Sequence, residues 1–315
     1  ESVGANLQYH NDKGLTVFGD ISYGWDGFKQ TRHYAEIFKR TSDAEETLTT
    51  LSDETAKKRS QSLTADGGLN YDFGKNSAGI KYIFSRTPKS KFTSEGNSST
   101  DVLPISDITS TTSLDAKTFD HYINAFGDFK LPLSIGLRAD FDYMFGENTS
   151  CWDAKEEETE RIITNSNKSN HDYFGAKLRI DRKLGDIEVE AGAEYAYTKN
   201  DQSFTSHGLS DMFTMSSSDI VRQNLQAYFV SFDWGISPKW NIYGGVRYET
   251  TDSRYWRDET LDNNLSRKYH DFLPNLGIQF KSPVNLTMYY RAKVSRPSYS
   301  LLDNNFAYVT PTLWE

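Results

Sequence analysis

The sequence predicts an all-β chain, an antiparallel up-and-down transmembrane β-barrel with about twelve strands present. Three observations carry that expectation. Segment after segment alternates apolar and polar residues with a period of two, which places one kind of residue on each face of a strand. Short turns alternate with long polar connections along the whole chain. Aromatic residues gather at both ends of the strands, as the two interfaces of a bilayer require.

The clearest element is the hairpin from Tyr173 to Lys199. On its second arm Ile187, Val189, Ala191, Ala193, Tyr195 and Tyr197 alternate with Glu188, Glu190, Gly192, Glu194, Ala196 and Thr198. On its first arm Phe174, Ala176, Leu178 and Ile180 alternate with Tyr173, Lys177, Arg179 and Asp181, and Lys183 to Asp186 forms the turn. From the start of the chain, Val3, Ala5, Leu7 and Tyr9 form an apolar row, Asn11 to Gly14 a tight turn, and Leu15, Val17, Gly19, Ile21 and Tyr23 the next row, extending to about Phe38. Residues 41–58 taken alone suit a short helix, but read in this chain as a long surface loop. Leu63 to Tyr71 and Ala78 to Phe84 form a hairpin, followed by a Ser- and Thr-rich loop over 87–115.

Between Asp120 and Phe129 the face is ambiguous, since Tyr122 and Phe126 compete with Ile123 and Ala125. Ile135, Leu137, Ala139, Phe141, Tyr143 and Phe145 are unambiguous, and 146–170 and 200–218 read as further polar loops. A strand from Ile220 to Asp233 turns through Trp234 to Lys239 into Trp240, Ile242, Gly244, Val246 and Tyr248. A loop near Arg257 to Ser266 leads to Phe272, Leu276, Ile278 and Phe280, with Pro274 predicting a bulge or an interrupted hydrogen bond. Leu286, Met288, Tyr290, Ala292 and Val294 close the series. Tyr71, Phe73, Phe129, Trp234, Trp240 and Phe280 flank short turns, whereas Tyr23, Trp25, Tyr143, Tyr195, Tyr197 and Tyr248 lie toward the long connections.

Composition excludes several classes. Only 37% of residues are apolar, and no run approaches the roughly 18 apolar residues of a spanning helix. A net charge of -9 argues against a nucleic-acid partner. The single Cys151 allows no internal disulfide. A soluble β-sandwich binding module is the alternative fold, but it gives no reason for every long connection to fall at one end.

No constellation points to catalysis, metal or a cofactor, and the chain is read as non-enzymatic. The six histidines are scattered, without the spacing of a zinc site. No Gly-rich phosphate loop and no G-x-S-x-G elbow is present. The acidic run from Glu156 to Glu160 is read as a solvated loop. The charged rows carry more information. Arg138, Asp140, Asp142, Lys177, Arg179 and Glu188 stand opposite apolar rows, as do Glu190, Glu194, Arg247, Glu249, Arg291 and Lys293. Against lipid a midplane Arg or Lys costs roughly 2–4 kcal/mol, so these residues are expected to line a wet lumen.

Three segments in order, Gly244 to Glu249 (GGVRYE), Tyr269 to Asn275 (YHDFLPN) and Tyr289 to Tyr299 (YYRAKVSRPSY), resemble the barrel of TonB-dependent outer-membrane receptors, especially those of Bacteroidetes. The opening from Leu7 to Gly19 is similar to the strands that follow the plug in that family. The resemblance implies a receptor in the outer membrane of a Gram-negative bacterium, taking up a scarce ligand such as a siderophore or glycan with energy from TonB. It implies a barrel of about 22 strands closed around a plug. This chain then corresponds to a partial barrel domain over 1–315 without the plug, its partners being membrane lipid, the ligand, and plug and TonB through the rest of the protein. The alternative within the membrane class is a plug-less barrel, either an enzyme or an adhesin.

Overall fold

The computed structural model describes residues 1–39, 47–100, 107–157, 160, 162–208, 215–295, 308–310 and 313–314. Its strands are β1 (Ser2–His10), β2 (Leu15–Lys39), β3 (Thr47–Phe73), β4 (Asn76–Thr100), β5 (Asp107–Leu131) and β6 (Ile135–Glu156), then β7 (Ile162–Leu184), β8 (Ile187–His207), β9 (Met215–Ser237), β10 (Trp240–Arg257), β11 (Thr260–Phe280) and β12 (Leu286–Arg291). These twelve form one sheet in strict chain order, and every pairing is antiparallel. Two short strands, β13 (Tyr308–Thr310) and β14 (Leu313–Trp314), pair with each other. The sheet is open, with β1 and β12 as its edges.

The turns follow from local chemistry. The Asn11 side chain accepts from the amides of Lys13 and Leu15 at 3.0 and 2.9 Å, and Gly14 supplies the left-handed φ of +87° that closes the turn. A 3₁₀ turn, Pro132–Ser134, joins β5 to β6, and Gly185 at φ +64° joins β7 to β8. At the opposite end the expected loops are largely strand. Residues 47–58, 87–100, 107–115, 146–156, 162–170, 200–207, 215–218 and 260–266 all belong to the sheet, while 41–46 lie outside the described residues. Ser and Thr on both faces hide the period of two, but the backbone still pairs when neighbouring hairpins set its register. At about 3.4 Å per residue, strands of 21–27 residues run roughly 70–90 Å. A bilayer crossing needs only about 9–11 residues.

Register resolves the ambiguous face of β5. Ile123 and Ala125 pair with Tyr143 and Phe141 on the apolar face, while Tyr122 turns to the polar face and donates to Asp142. Pro274 causes no bulge: it pairs with Val246 in unbroken register, and the β10–β11 irregularity lies at Ser253/Tyr255. Its missing N–H falls on the β12 side. The Ala292 amide donates to the Pro274 carbonyl at 3.0 Å, Pro274 cannot reciprocate, and the ladder ends at Asn275–Arg291. β12 therefore stops short of Val294. Arg296 to Tyr299 lie outside the described residues.

No second layer covers the apolar rows among the described residues. Phe141 is 50% exposed, Val230 45% and Leu178 46%, and Ile187, Val189 and Val246 are only half-buried. Rings mark the two ends of this face. Tyr71 stacks on Phe73 at 5.6 Å and Trp240 meets Phe280 at 4.6 Å near the short turns. Toward the long end, His121 stacks on Phe145 at 4.5 Å, touches Phe84 and Phe119, and accepts or donates one hydrogen bond with Tyr82 at 2.6 Å. From Phe129 to His121 is about 8 residues, or roughly 27 Å along the strand, which at a tilt of about 35–45° rises roughly 19–22 Å, close to an apolar band of about 25 Å.

Candidate functional site

The polar face of the sheet holds the charged residues picked from sequence. Arg247 on β10 reaches across β9 to β8: its guanidinium meets Glu194 at 2.8 Å and Glu249 on its own strand at 3.0 Å. The bridge is possible because Ala227, fully buried, is the β9 residue paired with both Glu194 and Glu249. Arg138 binds Asp128 at 2.7 Å, Arg179 binds Glu190 at 3.5 Å, and Asp142 also accepts from Asn124 at 2.8 Å. Lys177 stands in register with Asp140 and Glu194, its ammonium 5.8 Å from the Phe229 ring. Glu188 and Glu190 flank a shallow basin with Ser231, Asp233, Tyr243 and Asn275. Arg291 pairs with Asn275 at the end of the exposed β12, and Lys293 lies beyond that strand. The structure thus pairs Arg247 with Glu194 and Glu249, Arg179 with Glu190 and Arg138 with Asp128, places Lys177 beside Asp140 in register only, and leaves Glu188, Arg291 and Lys293 without an ion pair among the described residues.

A second group lies on the same face further out, mostly where the sequence suggested loops, with Val221 in the expected strand from Ile220 to Asp233. Tyr255, Val221, Phe204, Ile163 and Ala154 are buried, and Trp152 packs against the last two. Around them, the Asn165 amide and the Ser206 hydroxyl are buried and make no hydrogen bond among the described residues. Asn165 and Ser206 are directly paired across β7 and β8. Arg257 donates to the Tyr255 hydroxyl at 3.4 Å and lies 3.5 Å from Asp219. Burial pushes the Tyr255 phenol above its ordinary value; Arg257 opposes that shift and Asp219 adds to it. Arg257 is held charged by its bond to Tyr255 and by Asp219. The signal available in the sequence was the alternation of Trp152, Ala154 and Glu156 with Cys151, Asp153 and Lys155, masked by the polar residues around it. Glu156, read as part of a solvated loop, is instead the buried last residue of β6.

An unlayered meander with one greasy face between two aromatic girdles, and a paired set of charges on the other, defines a membrane-spanning barrel sheet. The chain belongs to the outer membrane protein β-barrel family, whose model matches residues 137–315, more than half of its length, and its place is the bacterial outer membrane. No curated protein matches the sequence. Among solved structures, the siderophore receptor PiuA of Acinetobacter baumannii is similar over 85% of this chain and 49% of its own, at 10% identity and a TM-score of 0.44. The alcaligin receptor FauA of Bordetella pertussis is similar over 89% and 40%, at 10% identity and a TM-score of 0.40. The translocator domain of the autotransporter NalP of Neisseria meningitidis is similar over 90% and 84%, at 16% identity and a TM-score of 0.33. The chain spans less than half the length of the two receptors.

Proposed function

We propose that this chain is the barrel wall of a TonB-dependent receptor that takes up a scarce ligand, such as a siderophore or glycan, without catalysing a reaction on it. The observation that carries the reading is the length of the strands. About half or more of a 21–27-residue strand stands outside the bilayer, so the hairpins build a tall wall whose inner surface holds Trp152, Asn165, Ser206, Tyr255 and Arg257, packed against one another until a captured molecule parts that packing. A buried amide or hydroxyl left without a partner costs roughly 1–3 kcal/mol, which a ligand with its own donors and acceptors offsets. Lower down, the charges of β6 to β10 line the lumen. They are largely neutralised by one another, which suits a surface packed against a removable plug. The motifs GGVRYE and YHDFLPN support the receptor over a plug-less enzyme or adhesin.

The unpaired edges fit the same reading. Exposed N–H and C=O groups on β1 and β12 are not tolerated in lipid, so both edges must be paired in a closed wall, as in the barrel of about 22 strands that the family resemblance implies. Plug movement driven by TonB rests on the family resemblance alone. The test is uptake of a panel of labelled ferric siderophores, cobalamin and oligosaccharides by cells carrying the complete gene. Uptake of one of them that stops when TonB is deleted is the expected outcome. Uptake that persists without TonB and with a protonophore present would refute the proposal. Asn165→Ala with Tyr255→Phe is expected to weaken capture of that ligand at least about 10-fold, the loss of roughly one hydrogen bond to a buried group.

A further inference from the structure

Just beyond the outer aromatic girdle, on the face that meets lipid, three adjacent strands carry six cations. Register places Lys29 of β2 directly opposite Lys57 of β3, and Arg59 of β3 directly opposite Lys91 of β4. Like charges facing each other across a sheet destabilise the pairing, and this patch contains two such pairs side by side. A bulge adds to it. Between Gln61 and Leu63 of β3 the β4 strand inserts an extra residue, so Arg86 and Lys89 both emerge on this same face opposite Leu63 and Gln61. All six side chains are exposed. Among the described residues none of the six has a carboxylate at ion-pair distance, although Asp115 of β5 stands directly opposite Lys91 on its other side, whereas Arg138, Arg179 and Arg247 on the other face are each held by one or two. The chain as a whole carries -9, so the patch runs against the overall charge.

Depth identifies the occupant. Arg86 comes two residues after Phe84, and Arg59 pairs with Gly27, two residues after Trp25, so the patch begins where the girdle ends. At about 3.3 Å per residue and a strand tilt of about 40° it covers roughly the first 5–15 Å above the hydrocarbon, which is the level of lipid headgroups and the sugars attached to them. We infer that this patch is a docking surface for phosphorylated glycolipid headgroups of the outer leaflet. Their phosphates sit between the facing cations, and their acyl chains lie along Trp25, Tyr82 and Ile80. An anion between Lys29 and Lys57, or between Arg59 and Lys91, turns a repulsive pair into a chelate. A soluble acidic protein would find the same charges but would have to reach into the headgroup layer to meet them. The inference rests on the outer-membrane placement and is independent of the receptor reading.

The experiment uses the full protein in a neutral detergent, titrated with a bisphosphorylated glucosamine lipid and followed by native mass spectrometry. The expected result is retention of the lipid by the wild type and binding weakened about 100-fold in Lys29→Gln/Lys57→Gln/Arg59→Gln, from about 1 kcal/mol for each cation near an anionic surface. Lys13→Gln/Lys75→Gln/Lys239→Gln, at the short-turn end, controls for net charge and is expected to bind as the wild type does. Lys29→Arg/Lys57→Arg is expected to retain binding, which separates charge from folding. The proposal is overturned if the first variant binds like the wild type, if the dephosphorylated lipid binds equally well, or if inorganic phosphate alone displaces the lipid and marks a simple anion site. It is equally overturned if the control variant loses binding to the same extent.

Discussion

Arginine placed on neighbouring residues of β9 tests which face of the sheet meets lipid. Val230 pairs with Ala191, midway between Ile187 at the short-turn end and Tyr195 in the outer girdle, so it sits near the centre of the apolar band. It is 45% exposed with no protein layer over it. Val230→Arg therefore puts a guanidinium at the depth where the cost is about 2–4 kcal/mol, or roughly 30- to 800-fold in the folding equilibrium. The next residue, Ser231, points to the polar face and pairs with Glu190 and Gly245, so Ser231→Arg gains an acidic neighbour and is expected to cost less than about 1 kcal/mol. Ile236, 46% exposed and beyond Trp234, lies at the interface, where an arginine costs about 0–1 kcal/mol. The assay is urea-dependent folding of the full protein into lipid vesicles, followed by tryptophan fluorescence and by protease protection. The order Val230→Arg well below Ile236→Arg and Ser231→Arg in stability is the prediction. Equal losses at Val230 and Ser231 would show a protein layer on both faces and refute the assignment.

Three further outcomes follow from the same geometry. Arg247→Ala is expected to cost about 1–3 kcal/mol, less than the loss of a fully buried partner because Arg247 and Glu194 keep some water, with part regained in Arg247→Ala/Glu194→Gln; vesicle refolding reads both. Gly14→Ala forces a side chain into a φ of +87° with its Cβ driven against the Asp72 carbonyl oxygen, so a loss of at least about 1 kcal/mol and slower hairpin closure are expected in stopped-flow refolding. The Tyr255 phenol, raised by burial, is expected to ionise later than exposed tyrosines in the alkaline difference spectrum between wild type and Tyr255→Phe. Its folded pKa lies above the unfolded one, so its contribution to stability is complete below the unfolded value and falls as pH rises through the folded value. A normal titration for the missing phenol would contradict the burial.

The sequence by itself determined the strands inside the bilayer, their turns and, except in β5, where Tyr122 and Phe126 compete with Ile123 and Ala125, their two faces. There the solvent differs on the two sides of the sheet, so every second residue of Ile187 to Tyr197 or Ile135 to Phe145 has to be apolar, and the period is written into the chain. Above the membrane both sides meet water. Residues such as Ser203 to Ser206 or Thr109 to Ser113 then carry no pattern, and only pairing with a neighbour already in register shows that they are strand. The long-range side-chain contacts share this property. Arg247 finds Glu194 53 residues away, and Lys29 faces Lys57, because hydrogen-bonded register fixes which residues stand opposite each other, and no local propensity encodes that choice.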